Sequence, residues 1–207
     1  MVLPSLYPIT DSRLSGGRSH AEIVALLCRG GATLIQVRDK ELQDRDLALQ
    51  ATRAVAEARL SGARIIVNDR PDIAVLCGAA GVHVGADDLP AEEARSIVGP
   101  GRIVGISTHG AEEAIAAARL PVDYVALGPI FETGHASARR APVGIAAVER
   151  VARAIDRPLV AIGGIDLSRA SDLLAAGAAS VAVLGDLMTA ADIPGRTAAY
   201  LALRAVS

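Results

Sequence analysis

The sequence predicts a single (β/α)₈ barrel over residues 1–207, with an eight-stranded parallel core. Eight short apolar, β-branched runs recur along the chain, turn residues and alanine-rich helical patterns separate them, and no glycine-rich fingerprint follows the first run. Alternating strands and helices build a parallel sheet with helices outside. Eight such units in 207 residues fit the compact end of the closed-barrel range. The doubly wound open sheet, the alternative, ordinarily carries the missing fingerprint at its first turn.

The strands are expected in order at Leu6–Thr10, Thr33–Arg38, Arg64–Asn68, Gly81–Val84, Arg102–Ser107, Tyr124–Gly128, Leu159–Ile162 and Ser180–Val183. Between them the helical pattern predicts Asp46–Arg59, Pro90–Val98, Ala111–Arg119, Val143–Ile155 and Leu167–Ala175, and Pro71 opens a further helix. Gly30-Gly31, Gly78 and Gly177-Ala178 stand where helices should stop.

Composition narrows the function classes. A formal net charge of -2 with interspersed signs leaves no electrostatic footprint for nucleic acid. Aromatic residues make up 2% of the chain and Trp is absent, which argues against a base-stacking platform or an aromatic cage. No apolar run is long enough to span a membrane, and no targeting segment is evident. Cys28 and Cys77 sit in alanine- and leucine-rich stretches, so buried thiols in a reducing compartment, the cytoplasm, are expected. The partners implied are small phosphorylated molecules, and the oligomeric state stays open, a homodimer included.

In such barrels chemistry gathers at the carboxyl ends of the strands. Asn68-Asp69 follows the third run and Asp87-Asp88 the fourth, so Asp69 and Asp88 leave neighbouring strands at one end. Two carboxylates there suit Mg²⁺, which takes one or two and completes its shell with waters and substrate phosphates. The plainer alternative makes them loop residues, with Asp69 helping to start the helix at Pro71. After the second run, the period of two sends Gln36, Arg38 and Lys40 to one side, three donors able to hold an anion. Solvated loop charges are the alternative for Arg38 and Lys40. Ser107 ends the fifth run and His109 follows it as a rim residue or N-cap neighbour, and His83 reads as a hydrogen-bonded core histidine. The ends of runs seven and eight, Ile162-Gly163-Gly164-Ile165 and Val183-Leu184-Gly185-Asp186, occupy the loops where barrels often bind phosphate. A glycine pair there is also compatible with a tight turn alone.

Across nearly the whole chain the residues resemble thiamine-phosphate synthases. The resemblance rests on Tyr7-Pro8-Ile9-Thr10-Asp11, Gln36-Val37-Arg38-Asp39-Lys40, Val67-Asn68-Asp69-Arg70, Gly81-Val82-His83-Val84-Gly85, Gly105-Ile106-Ser107-Thr108-His109, Asp123 through Phe131, and Ala161-Ile162-Gly163-Gly164-Ile165. It implies that Gln36, Val37, Arg38, Asp39, Lys40, Asn68 and Ser107 hold an aminopyrimidine diphosphate, with Arg38, Lys40 and Ser107 serving the reaction. It further implies Mg²⁺ on Asp69 and Asp88, and contacts from Thr133, Gly134, His135, Gly164, Leu184 and Gly185 to a thiazole phosphate. The implied reaction joins the two substrates and releases pyrophosphate.

The chain departs from the family at the loop after strand six, which usually runs Phe-Pro-Thr-x-Thr-Lys, its lysine reaching the pyrophosphate. Here the loop reads Phe131-Glu132-Thr133-Gly134-His135-Ala136. Loss of one such contact costs roughly 10²–10³ in rate, by analogy with single-donor removals. Arg139 and Arg140 follow closely, and either could supply the pyrophosphate contact or remain a solvated rim residue. Ala86 replaces a usual glutamine and Gly185 a common serine. Two other classes stay open: a thiazole tautomerase, favoured by Phe131-Glu132-Thr133 but opposed by the carboxylates and by Pro129, and a non-catalytic thiazole-phosphate or thiamine-phosphate binding protein.

Overall fold

Eight parallel strands form the barrel: β1 (Leu6–Pro8), β2 (Leu34–Val37), β3 (Arg64–Asn68), β4 (Gly81–Val84), β5 (Ile103–Thr108), β6 (Tyr124–Leu127), β7 (Leu159–Ile162) and β8 (Ser180–Val183). The computed structural model describes residues 1–133 and 141–203. Strand order runs β1-β8-β7-β6-β5-β4-β3-β2, so each strand pairs with its sequence neighbour and β1 with β8. One parallel bridge between Ile9 and Gln36 closes the ring, the Thr10 N–H donating to the Gln36 carbonyl at 2.9 Å. The expected (β/α)₈ architecture is therefore the observed one: β3, β4, β7 and β8 have the expected limits, and β1, β2, β5 and β6 differ from them by one or two residues at one or both ends.

The helices among the described residues are α1 (His20–Arg29), α2 (Asp44–Leu60), α3 (Pro71–Leu76), α4 (Ala91–Val98), α5 (Ala111–Ala117), α6 (Ile145–Ala154), α7 (Leu167–Ala175), the short α8 (Gly185–Met188) and α9 (Ile193–Leu201). Their limits have local causes. Ser19 and Glu22 form a reciprocal capping box at α1, satisfying two otherwise orphaned N–H groups. Asp166 caps α7 through the Ser168 and Arg169 N–H groups. Gly31, Gly78 and Gly177 each take a positive φ just past a helix end, as their positions in the sequence predicted. Both cysteines are free thiols, Cys77 buried and Cys28 half-buried.

Side-chain alternation along the strands makes two cores. Outward residues such as Ile35, Val37, Val67, Val82, Val104, Val125 and Val181 pack beneath the helices. Inward residues Tyr7, Leu34, Ile66, Ile103, Tyr124, Ala126, Val160 and Ala182 fill the barrel itself. Tyr124 fits across the interior because β5 carries glycine opposite it: a Cβ on Gly105 would lie 2.0 Å from Tyr124 Cζ. Gly105→Ala should therefore displace the ring and destabilise the fold by about 1–3 kcal/mol, as overpacking does. Thermal unfolding would show this as a fall of roughly 2–4 °C per kcal/mol, and an unchanged Tm would show that the interior has slack.

Candidate active site

Beyond β2 the chain is held in place by Asp39. Its Oδ1 accepts the N–H groups of Glu41 (2.9 Å) and Leu42 (3.0 Å), and its Oδ2 accepts the Ser12 hydroxyl at 2.6 Å. Burial works against the Asp39 charge, but these donors outweigh it and hold the carboxyl below its usual range. His20, fully buried, spans from Asp39 Oδ2 (Nε2, 3.3 Å) to Thr10 Oγ1 (Nδ1, 2.7 Å). The Thr10 oxygen in turn accepts the Arg38 N–H at 3.2 Å. Both Asp39 oxygens are thus engaged by Ser12, His20 and the loop's own N–H groups, and the carboxylate sets the shape of this loop. The Val37 side chain is fully buried toward the helices, leaving only its backbone to face the mouth. Gln36 does turn inward, and the Arg38 guanidinium lies 3.6 Å from Asp11 Oδ2.

Lys40 reaches across to β3, where its ammonium pairs with Asp69 Oδ2. Asp69 has φ 61°, the one positive value among the described non-glycine residues, and its N–H donates to the His83 carbonyl at 2.7 Å. Strained backbone of this kind persists where surrounding structure fixes it, and it concentrates at functional sites. The cap position of α3 is Arg70, which pairs with Asp72 (Nη2 to Oδ2, 2.7 Å) and Asp44, so Asp69 is not used to start that helix. Just past β4 the Gly85 N–H donates to Asp88 Oδ2 at 2.8 Å. Burial raises the Asp88 carboxyl above its usual range, and the adjoining Asp69 carboxyl raises it further. Two carboxyl groups brought against each other form an oxygen donor set that fits a hard divalent cation, and the Lys40 ammonium is the positive charge that pairs with one of them here.

A chain of hydrogen bonds crosses the barrel floor. It runs from Gln36 Nε2 to Tyr7 Oη (3.1 Å), Tyr124 Oη (2.9 Å), His83 Nδ1 (2.8 Å), and from His83 Nε2 to Ser107 Oγ (2.8 Å). Burial depresses the His83 pKa to about 4, so the imidazole is neutral near pH 7. His83 is thus the hydrogen-bonded core histidine expected, but its partners were not foreseen. The signal available was scarcity: of only three tyrosines in the chain, two stand within strands at inward positions. His109 contributes its N–H to Glu113 at 2.8 Å on the rim.

At the opposite side of the mouth, Gly163 (φ 99°) and Gly164 (φ 66°) turn the chain after β7. A Cβ on Gly164 would come within 2.4 Å of the Glu132 carbonyl oxygen, so the loops after β6 and β7 approach through this glycine. Arg169 stacks 4.9 Å above the Phe131 ring and donates to the Gly164 carbonyl at 2.8 Å. Leu184 precedes α8 and Gly185 begins it. Thr133, half-buried, ends the described part of the β6 loop. Gly134, His135, Ala136, Arg139 and Arg140 lie outside the described residues.

The model of the thiamine monophosphate synthase family matches residues 6–187. The chain belongs to that family. Relatives described as thiamine-phosphate synthase include one from Methanoculleus marisnigri, 45% identical over 96% of this chain and 93% of its own length. Another, from Roseiflexus castenholzii, is 41% identical over 94% of this chain and 85% of its own. Among solved structures, thiamine phosphate pyrophosphorylase from Pyrococcus furiosus superposes with a TM-score of 0.87 at 33% identity, covering 95% of this chain and 93% of that one. Within the synthase family frame, the inward ends of β2, β3 and β5 bring Gln36, Asn68 and Ser107 to one mouth, and the loops after β3 and β4 add Asp69 and Asp88.

Proposed function

We propose that this chain is a Mg²⁺-dependent thiamine-phosphate synthase of the cytoplasm. In this reaction the pyrimidine methylene of hydroxymethylpyrimidine diphosphate passes to the nitrogen of a thiazole phosphate, and pyrophosphate leaves. The observation that carries this reading is the pair Asp69 and Asp88, facing each other beside Lys40 at the carboxyl ends of β3 and β4.

Bound there, Mg²⁺ would supply Lewis-acid stabilisation of the departing diphosphate. The chain's own residues do the rest. Arg38 and Lys40 add fixed positive charge where negative charge accumulates as the C–O bond breaks. Asn68, Gln36 and Ser107 orient the pyrimidine, whose amino-substituted ring stabilises the resulting cation. Gly164, Leu184, Gly185 and Thr133, with Gly134 and His135 of the adjoining segment, hold the thiazole phosphate so that its nitrogen attacks in line. Arg139 and Arg140 are the candidates for the charge that Ala136 lacks. No side-chain nucleophile is required.

A discontinuous assay with both substrates and Mg²⁺, converting thiamine phosphate to fluorescent thiochrome, tests the reading. Product that disappears with EDTA and returns with added Mg²⁺ is expected. If product stays at the no-enzyme level while thiazole phosphate still binds, a tautomerase or a binding protein takes the reading's place.

A further inference from the structure

The hydrogen-bond chain across the barrel floor has a direction, fixed by the valence of its members. Gln36 Nε2 carries only hydrogens, so Tyr7 Oη accepts from it at 3.1 Å. Among the described residues the Tyr7 proton then has one partner, Tyr124 Oη, at 2.9 Å. Tyr124, having accepted, gives its own proton to His83 Nδ1 at 2.8 Å. A neutral imidazole accepting at Nδ1 carries its hydrogen on Nε2 and donates it to Ser107 Oγ, also at 2.8 Å. The Ser107 hydroxyl hydrogen is thereby released toward the mouth, where the side chain is half-buried. At the other end Gln36 Oε1 makes no hydrogen bond among the described residues.

We propose that Tyr7, Tyr124 and His83 are positioning residues which hold Ser107 as a donor and Gln36 Oε1 as an acceptor for the nitrogen-bearing edge of the pyrimidine diphosphate. This rests on the synthase reading of the site. An aminopyrimidine presents a ring nitrogen that accepts and an amino group that donates, and the two ends of the chain offer the complementary pair. Because every internal hydrogen is committed, neither end can change sense alone. Reversing Ser107 requires reversing all five members, Gln36 included, inside a buried network where an unmade bond is costly. Gly105 supplies the room that lets Tyr124 bridge Tyr7 and His83, with the ring stacked on His83 at 5.5 Å and edge-on to Tyr7 at 5.8 Å.

Tyr124→Phe tests this by cutting the chain at its centre while keeping the ring and both residues at the mouth. With full-length protein and Mg²⁺, KM for the pyrimidine diphosphate should rise about tenfold or more, the cost of one buried hydrogen bond left unmade. KM for thiazole phosphate should stay within about twofold, by the independence of distant sites. His83→Gln, whose amide again offers one acceptor and one donor, should recover most of the affinity that His83→Leu loses. Equal rises in both KM values, or no change in either with Tyr124→Phe, would overturn the proposal. Calorimetry of wild-type protein with pyrimidine diphosphate separates the two levels. If the wild type does not bind it, the synthase reading itself fails; if the wild type binds and Tyr124→Phe binds equally well, only the positioning role fails.

Discussion

Asp69→Asn is expected to lower Mg²⁺-dependent formation of thiamine phosphate by about 10²–10³, the range seen when a single charge-stabilising group is removed, while the protein remains folded. Asparagine is chosen because it tolerates the left-handed conformation that Asp69 holds at φ 61°. The N–H bond to the His83 carbonyl is kept, so the backbone turn survives. What is lost is one of two carboxylate charges, and Asp88 alone then faces the cation. The check is a Mg²⁺ titration of the thiochrome assay beside a thermal melt. A variant that keeps its rate within tenfold of wild type at low Mg²⁺ would remove Asp69 from the metal site. Asp69→Gly extends the test, since relief of a positive φ should leave Tm unchanged or higher even as activity disappears.

Lys40→Met is expected to split two quantities that usually move together. Lys40 is paired with Asp69 and its side chain is 53% exposed, so the cation that binds Asp69 must displace its ammonium from a weak, solvent-screened contact. Removing that competitor should tighten Mg²⁺ binding by no more than about fivefold, the ceiling that an exposed pair of up to ~1 kcal/mol sets. The same ammonium is needed beside the leaving pyrophosphate, and its loss should lower kcat by roughly 10². Isothermal titration with Mg²⁺ and saturating kinetics measure the two effects separately. A fall in both metal affinity and kcat would mean that Lys40 supports the carboxylates instead of competing for one of them.

The barrel was legible because strand and helix periods differ and each glycine stop fell at the end of a helix. Asp69 and Asp88 were legible for the same reason: residues that follow adjacent parallel strands emerge together, whatever their separation in sequence. Asp39 and Val37 were not resolved, since membership of a motif does not say which way a side chain turns. Val37 obeys the period of two and faces the helices; Asp39 lies past the strand, where that period lapses and Ser12, Glu41 and Leu42 decide its orientation. The Tyr7–Tyr124 contact was hidden more deeply. It joins residues 117 positions apart across the barrel, and only the stagger of the closed ring and the bare backbone at Gly105 bring them together.

Every other seam of the barrel carries a run of paired residues, whereas β1 and β2 meet through the one bridge at Ile9 and Gln36. Side chains do the fastening that the ladder leaves undone there: Thr10 to the Arg38 N–H, Asp11 to the Arg38 guanidinium, and Ser12 to Asp39. The loop that would grip a diphosphate is consequently also the clasp of the ring. Native-state hydrogen exchange should find its earliest barrel opening at Thr10, ahead of amides in β4 or β5. Among relatives, a change at Ser12 or Asp39 would then register as a looser clasp before it registered as a poorer catalyst.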